Sequence, residues 1–126
     1  MIVSRILPGN DLKSSLEHIM ENDRFKSGVI VSIVGSLNET HLRMSNGDKK
    51  IFKGFFEIVS SEGTISQDGI HVHLAVSDED GSVFGGHLLE GCTIHTTAEI
   101  CVLESKIKFR RIMDHNTGYK ELYLER

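Results

Sequence analysis

Three histidines are spaced so that they could act on one ligand. His71 and His73 occupy alternate positions in the apolar stretch Ile70-His71-Val72-His73-Leu74-Ala75-Val76, and His87 follows in Gly85-Gly86-His87-Leu88. Strand alternation sends Ile70, Val72, Leu74 and Val76 to one face and both imidazoles to the other. The turn between the segments, Ser77-Asp78-Glu79-Asp80-Gly81-Ser82, decides where His87 falls. A three-residue loop, Glu79-Asp80-Gly81, pairs His73 with His87 and uses Gly81 at the left-handed position that such loops require. A two- or four-residue loop, or a bulge at Gly85-Gly86, would turn His87 toward the core face instead. The glycine favours the three-residue loop. Three neutral imidazoles with a fourth position open form the ligand set of a catalytic zinc site. The plainer alternative is a half-exposed sheet face whose histidines hydrogen-bond to backbone or water.

Two more residues are weaker candidates. In Ile94-His95-Thr96-Thr97-Ala98-Glu99-Ile100, His95 and Glu99 share a face opposite the apolar positions. His95 is a candidate ligand, or a partner orienting one of the other imidazoles. Glu99 is a candidate general base for a metal-bound water. His18 lies off the apolar stripe of its segment, and His41 and His115 show no partner in the sequence. Cys92 and Cys101 form no CxxC pair and read as packing thiols. There is no GxGxxG, Walker loop, nucleophile elbow or HExxH. Lys106-Ile107-Lys108-Phe109-Arg110-Arg111 is a basic strand with one aromatic, which reads as a solvated face before it reads as a nucleic-acid contact.

The elements that must position these side chains are mostly strands. Residues 11 to 22 place Leu12, Leu16, Ile19 and Met20 on one stripe of an amphipathic helix, after Pro8-Gly9 and with Asn10 or Asp11 as cap. From Gly28 onward the chain breaks into turn-separated apolar or alternating runs: 28–37, 40–47, 51–60, 63–66, 70–77, 82–90, 94–104, 106–113 and 119–125. Asn46-Gly47, Asp68-Gly69, Asp80-Gly81, Glu90-Gly91 and Thr117-Gly118 punctuate them. One early helix followed by many strands predicts an α+β fold, a largely antiparallel sheet with the helix on one face.

With 126 residues the chain has room for one domain, residues 1–126. A formal charge of -4 argues against a broad grip on phosphates, so nucleic acid is a doubtful partner. No apolar run approaches the ~20 residues needed to cross a bilayer, and no signal-peptide pattern opens the chain, so the expected address is the cytoplasm. Pairs such as Phe55-Phe56 and Leu88-Leu89 put apolar residues on both faces of strands. One helix cannot cover both faces, so self-association is expected.

The succession of Gly54-Phe55-Phe56-Glu57-Ile58, the His71/His73 segment and Gly85-Gly86-His87-Leu88 along the whole chain resembles the plants and prokaryotes conserved (PPC or PCC) domain family. That resemblance implies a mainly antiparallel sheet with helices against one side, assembled as a homotrimer. It also implies, for some members, a metal, commonly zinc, held at the positions of His71, His73 and His87. Plant members join the domain to AT-hooks, of which this chain has none. In those proteins the domain contacts itself and other proteins through the Gly54–Ile58 region, where Phe55 here replaces the usual Arg. The expectation is a trimeric binding or regulatory module with protein partners and a three-histidine metal site. The alternatives are a metal-dependent enzyme acting on a small molecule, and a DNA-binding protein.

Overall fold

The computed structural model describes residues 1–22 and 26–125, with the side chain of Asn22 left out. The elements are β1 (Ile2–Ile6), α1 (Leu12–Asn22), β2 (Ser27–Arg43), β3 (Lys49–Ser66), β4 (Gly69–Ser77), β5 (Val83–Leu88), β6 (Thr93–Glu104), β7 (Lys108–Asp114) and β8 (Tyr119–Glu125). The expected α+β class holds, with one short helix against a mainly antiparallel sheet.

The helix forms where the stripe predicts it. Asp11 caps it: Asp11 Oδ2 accepts the Ser14 N–H at 2.9 Å, while Oδ1 accepts the Gly91 N–H at 2.7 Å. One carboxylate thus starts the helix and ties it to the turn before β6. Leu12, Leu16, Ile19 and Met20 are all buried, and α1 packs against β3, β4 and β6.

Six strands form one sheet in the order β1-β6-β2-β3-β4-β5, and β5 also pairs with the end of β2. The far edge therefore curls back until Leu42 meets Leu88 and Arg43 meets His87. Curling of this kind requires long, bent strands, and β2 and β3 run for 17 and 18 residues. Here the sequence reading needs correction: segment 28–37 and residues 40–43 of segment 40–47 belong to one strand, as do 51–60 and 63–66. No turn residues break β2 near Asn38; a bulge between Leu37 and Glu39 bends it instead. The Asn46-Gly47 turn is found, with Gly47 at φ 91°. Gly35 lets β6 cross close by, because a Cβ there would overlap the Thr97 carbonyl.

The core lies between helix and sheet, and Val72, Leu74 and Val76 of β4 point into it. The opposite face of β1, β6, β2 and β3 is apolar but open in the single chain. Val3 is 70% exposed and Val34 59%, with Val31, Phe55, Val59 and Leu103 also exposed. The β7–β8 hairpin forms a separate two-stranded sheet. Among the described residues no helix is long and apolar enough to cross a membrane.

Candidate metal centre

The turn after β4 sets the geometry. The Asp78 N–H donates to the Ser82 carbonyl at 2.9 Å, and the Gly81 N–H donates to the Asp78 carbonyl at 3.0 Å. Asp78 Oδ1 accepts the N–H groups of both Asp80 and Ser82, each at 2.9 Å. Gly81 sits at φ 80°, the left-handed conformation of a three-residue loop. In consequence Ser77 pairs with Val83 and His73 with His87, with no register shift across Gly85-Gly86.

The glycine pair serves close approach and makes no bulge. A Cβ on Gly85 would overlap the Leu74 carbonyl oxygen, and one on Gly86 the Arg43 carbonyl oxygen. β5 is wedged between β4 and the end of β2 at this point. Gly86→Ala is therefore expected to force β5 outward, costing about 1–3 kcal/mol of stability as other overpacked sites do. It should weaken metal uptake as well, because His87 is the next residue. Chemical denaturation and metal titration of the variant read the two effects; unchanged values for both would mean that β5 is not held this tightly.

His71 and His73 are exposed and His87 is half-buried. One ring nitrogen from each lies within 4.8 Å of the others. The Nε2 atoms of His71 and His73 are 3.3 Å apart. Ligand nitrogens on a tetrahedral zinc, each about 2.0–2.1 Å from the ion, lie about 3.3 Å from one another. Ring centroids are 5.0 Å apart for His71–His73, 5.2 Å for His71–His87 and 6.0 Å for His73–His87. His87 therefore needs only a modest ring movement to join the other two.

Burial and nearby positive charge favour the ligating form of His71 and His87. Burial, with the Arg43 charge second, pushes His87 down to about 4. Burial and then the Arg111 charge push His71 below its ordinary value. Neutral imidazole is the form that gives a lone pair to a metal. His87 Nδ1 is buried without a hydrogen-bond partner among the described residues. An orphaned buried nitrogen beside two further imidazoles fits a divalent cation better than a hydrogen-bonded sheet face.

Around the imidazoles stand residues that the sequence reading did not place here. Arg43 is directly opposite His87, Glu62 opposite His73, and Thr64 opposite His71. The Arg43 guanidinium lies over the Tyr119 ring, 4.9 Å from its centroid. Arg111, on the strand read as a solvated basic face, donates to Thr64 Oγ1. Arg110 holds Asp68 through contacts of 2.8 and 3.3 Å, which keeps that carboxyl below the usual carboxylate range. These contacts dock the hairpin beside the histidines. Register pairing between β2 and β5 and the docking of the hairpin are long-range facts with no local sequence signal.

His95 and Glu99 do not join the group. Among the described residues the candidate ligand cluster comprises His71, His73 and His87. His95 stacks on Phe55, with ring centroids 4.8 Å apart, and Glu99 is exposed opposite Arg5 and Val34. Both lie on β6, beyond β2 and β3 from β4, so strand order separates them from the histidines. His41 has surroundings the sequence hid. Its Nε2 is 3.5 Å from Glu39 Oε1, too poorly aligned for a hydrogen bond, and its ring fills the space over Gly91. Cys92 is buried, and burial pushes its thiol up to about 11, as suits a packing residue. Cys101 is half-exposed on the open apolar face.

Residues 1–106 match the Plants and Prokaryotes Conserved (PCC) domain. A hypothetical protein from Salmonella cholerae-suis (Salmonella enterica) has the same fold at TM-score 0.93 and 34% identity, over 98% of this chain and 91% of that one. A protein from Bacteroides thetaiotaomicron named as a candidate DNA-binding protein aligns at TM-score 0.88 and 26% identity, over 98% and 91% of the two chains. A protein named as metal-containing, from Archaeoglobus fulgidus, aligns at TM-score 0.76 and 22% identity, over 97% and 91%. A curated relative, the bifunctional protein GlmU of Synechococcus sp. (strain JA-3-3Ab), is 41% identical over 124 residues, 97% of this chain. This chain spans about a fifth of the length of that relative (20%).

Proposed function

The chain belongs to the Plants and Prokaryotes Conserved (PCC) domain family, and from that premise we propose that it is a homotrimeric binding module in which His71, His73 and His87 hold a divalent cation. The observation that carries this reading is the convergence of three ring nitrogens, one each from His71, His73 and His87, within 4.8 Å. Zinc heads the candidates because it takes all-imidazole sets with a fourth position open. The metal-containing name of the Archaeoglobus relative points the same way. Bound there, the cation would supply Lewis acidity at its open position. Elemental analysis of the purified protein tests the reading; one equivalent of metal per chain is expected, and none after reloading with zinc would overturn it.

The open apolar face supports self-association. Val3, Val31, Val34, Phe55 and Leu103 are exposed in the single chain, a patch that soluble proteins normally cover. Val34→Glu adds a second carboxylate to that patch, directly opposite Glu99, and burying the like-charged pair at an interface should cost several kcal/mol. The expected result is a solution mass that falls from three chains toward one. A variant that keeps the wild-type mass would place the interface elsewhere.

Two other readings each have one observation behind them. A metal-dependent enzyme is favoured by the 670 Å³ cavity lined by His73, His87, Arg43 and Tyr119. DNA binding is favoured by the name of the Bacteroides relative. Against DNA, Arg110 on the basic strand is already paired with Asp68, and the net charge is -4. The intact protein is expected to show no salt-sensitive affinity for duplex DNA at low ionic strength; a steep loss of binding with added salt would revive that reading.

A further inference from the structure

The residues around the three histidines carry charge that the fold does not neutralise. Arg43 borders two cavities that open on the imidazoles, one of 670 Å³ and one of 300 Å³, and Arg111 borders the smaller. Neither guanidinium has a carboxylate within ion-pair distance among the described residues. Arg110, one residue away, is paired with Asp68, so the strand does form ion pairs where they serve to dock it. Arg111 instead donates to an uncharged hydroxyl, that of Thr64. Arg43 is steadied by the Tyr119 ring. Asp68 and Glu121 also line the smaller of these cavities, and Glu121 and Glu62 border a third beside His71 and His73, so the region is not uniformly basic.

We propose that the cavity bordered by both guanidiniums takes a small molecule bearing an oxyanion, a carboxylate or a phosphate, which Arg43 and Arg111 would hold beside the three histidines. The proposal rests on the metal reading above and names the ligand class of the same site. Three neutral imidazoles leave both positive charges of a divalent ion uncompensated, so an anion is the favoured occupant of its open position. Each guanidinium is a planar fork of donors that matches two oxygens of a carboxylate or phosphate. Arg43 reaches the site because its Cβ stands opposite that of His87 in the ladder, at a separation of about 4.5–5.5 Å. The cavity with both arginines, 300 Å³, stands at the lower end of the range of roughly 300–1,000 Å³ common for small-molecule sites.

The β7–β8 hairpin gives the pocket its selectivity. It supplies Arg111 and Tyr119, and it lies beyond the residues 1–106 that match the family domain. The histidines lie within residues 1–106, whereas Arg111 comes from the hairpin, over which the Salmonella structure also aligns. Docking through Arg110–Asp68 and Arg111–Thr64 fixes its position against β3 and the β3–β4 turn.

The test uses the full chain loaded with divalent cobalt, whose visible spectrum responds to a ligand entering its coordination sphere. Metal content is measured first on the same sample. Malonate, inorganic phosphate and, as a neutral control, glycerol are then titrated separately. A saturable spectral change with malonate or phosphate, and none with glycerol, is expected. The tighter of the two anions identifies whether carboxylate or phosphate chemistry is recognised. Arg43→Met and Arg111→Met should each weaken that anion by ~10–100-fold, the loss expected when a charge-assisted hydrogen bond is removed. Among the described residues the Arg43 side chain has no hydrogen-bonded protein partner, so its variant remains decisive if Arg111→Met folds poorly. One metal per chain with no response to either anion would overturn this proposal and leave the metal reading standing, as would unchanged affinity in Arg43→Met. A protein that takes up no metal would overturn both.

Discussion

His73→Ala is expected to reduce metal affinity by ~10²-fold or more, because loss of an outer partner alone costs about 10–100-fold and His73 is a proposed direct ligand. Its position makes it the most informative of the three. It stands opposite His87 across the β4–β5 ladder, and its Nε2 is 3.3 Å from that of His71. Removing it leaves two imidazoles and no common centre. Val72 and Leu74 on either side face the core, so an outward alanine at position 73 should leave the fold intact. Dialysis followed by metal analysis and chelator competition gives the affinity. His95→Ala is the matched control: it deletes an imidazole stacked on Phe55, away from the cluster, and should retain the full metal complement. Equal metal loss in both variants would mean that unfolding, and not ligand removal, released the ion.

The His73–His87 pairing was legible in the sequence because it depends on local information. Six residues of turn, one of them a glycine suited to a positive φ, set the register of two adjacent strands. The helix was legible for the same reason, with its stripe and its Asp11 cap within one short segment. What escaped was long-range. Arg43 meets His87 only because the sheet curls back on itself across four strands, and no pattern near residue 43 announces that. Arg111 had the periodicity of a solvated strand, and only the docked hairpin brings it to the histidines. His95 and Glu99 shared a face as alternation required, but strand order sets that face apart from the imidazoles. Alternation within a strand says which way a side chain points. It does not say which strand stands beside it.

Metal should also be a large term in stability, and one with a definite pH dependence. A ligand that binds only the folded chain stabilises it by about 4 kcal/mol when present at roughly a thousand times its dissociation constant. Zinc at that excess should therefore raise the unfolding midpoint markedly at pH 7.5, and a chelator should reverse the rise. Protein concentration must be fixed, since the proposed association would make the midpoint concentration-dependent. The acid limb follows from His87, held at about 4 in the folded chain against 6.5 for the free side chain. Between those values the unfolded chain binds a proton that the folded chain refuses, so stability falls as pH drops through this window. Above 6.5 the contribution is complete, and His71, shifted the same way, adds to it. In the metal-free protein His87→Gln should flatten this limb, because glutamine carries no proton to refuse. In the zinc-loaded protein the limb should steepen, since the ion and the proton compete for the same nitrogen lone pairs. Midpoints measured from pH 4 to 8, with zinc and with chelator, read both effects. A zinc-induced rise as large at pH 4.5 as at pH 7.5 would show that the stabilising ion sits on groups other than these imidazoles.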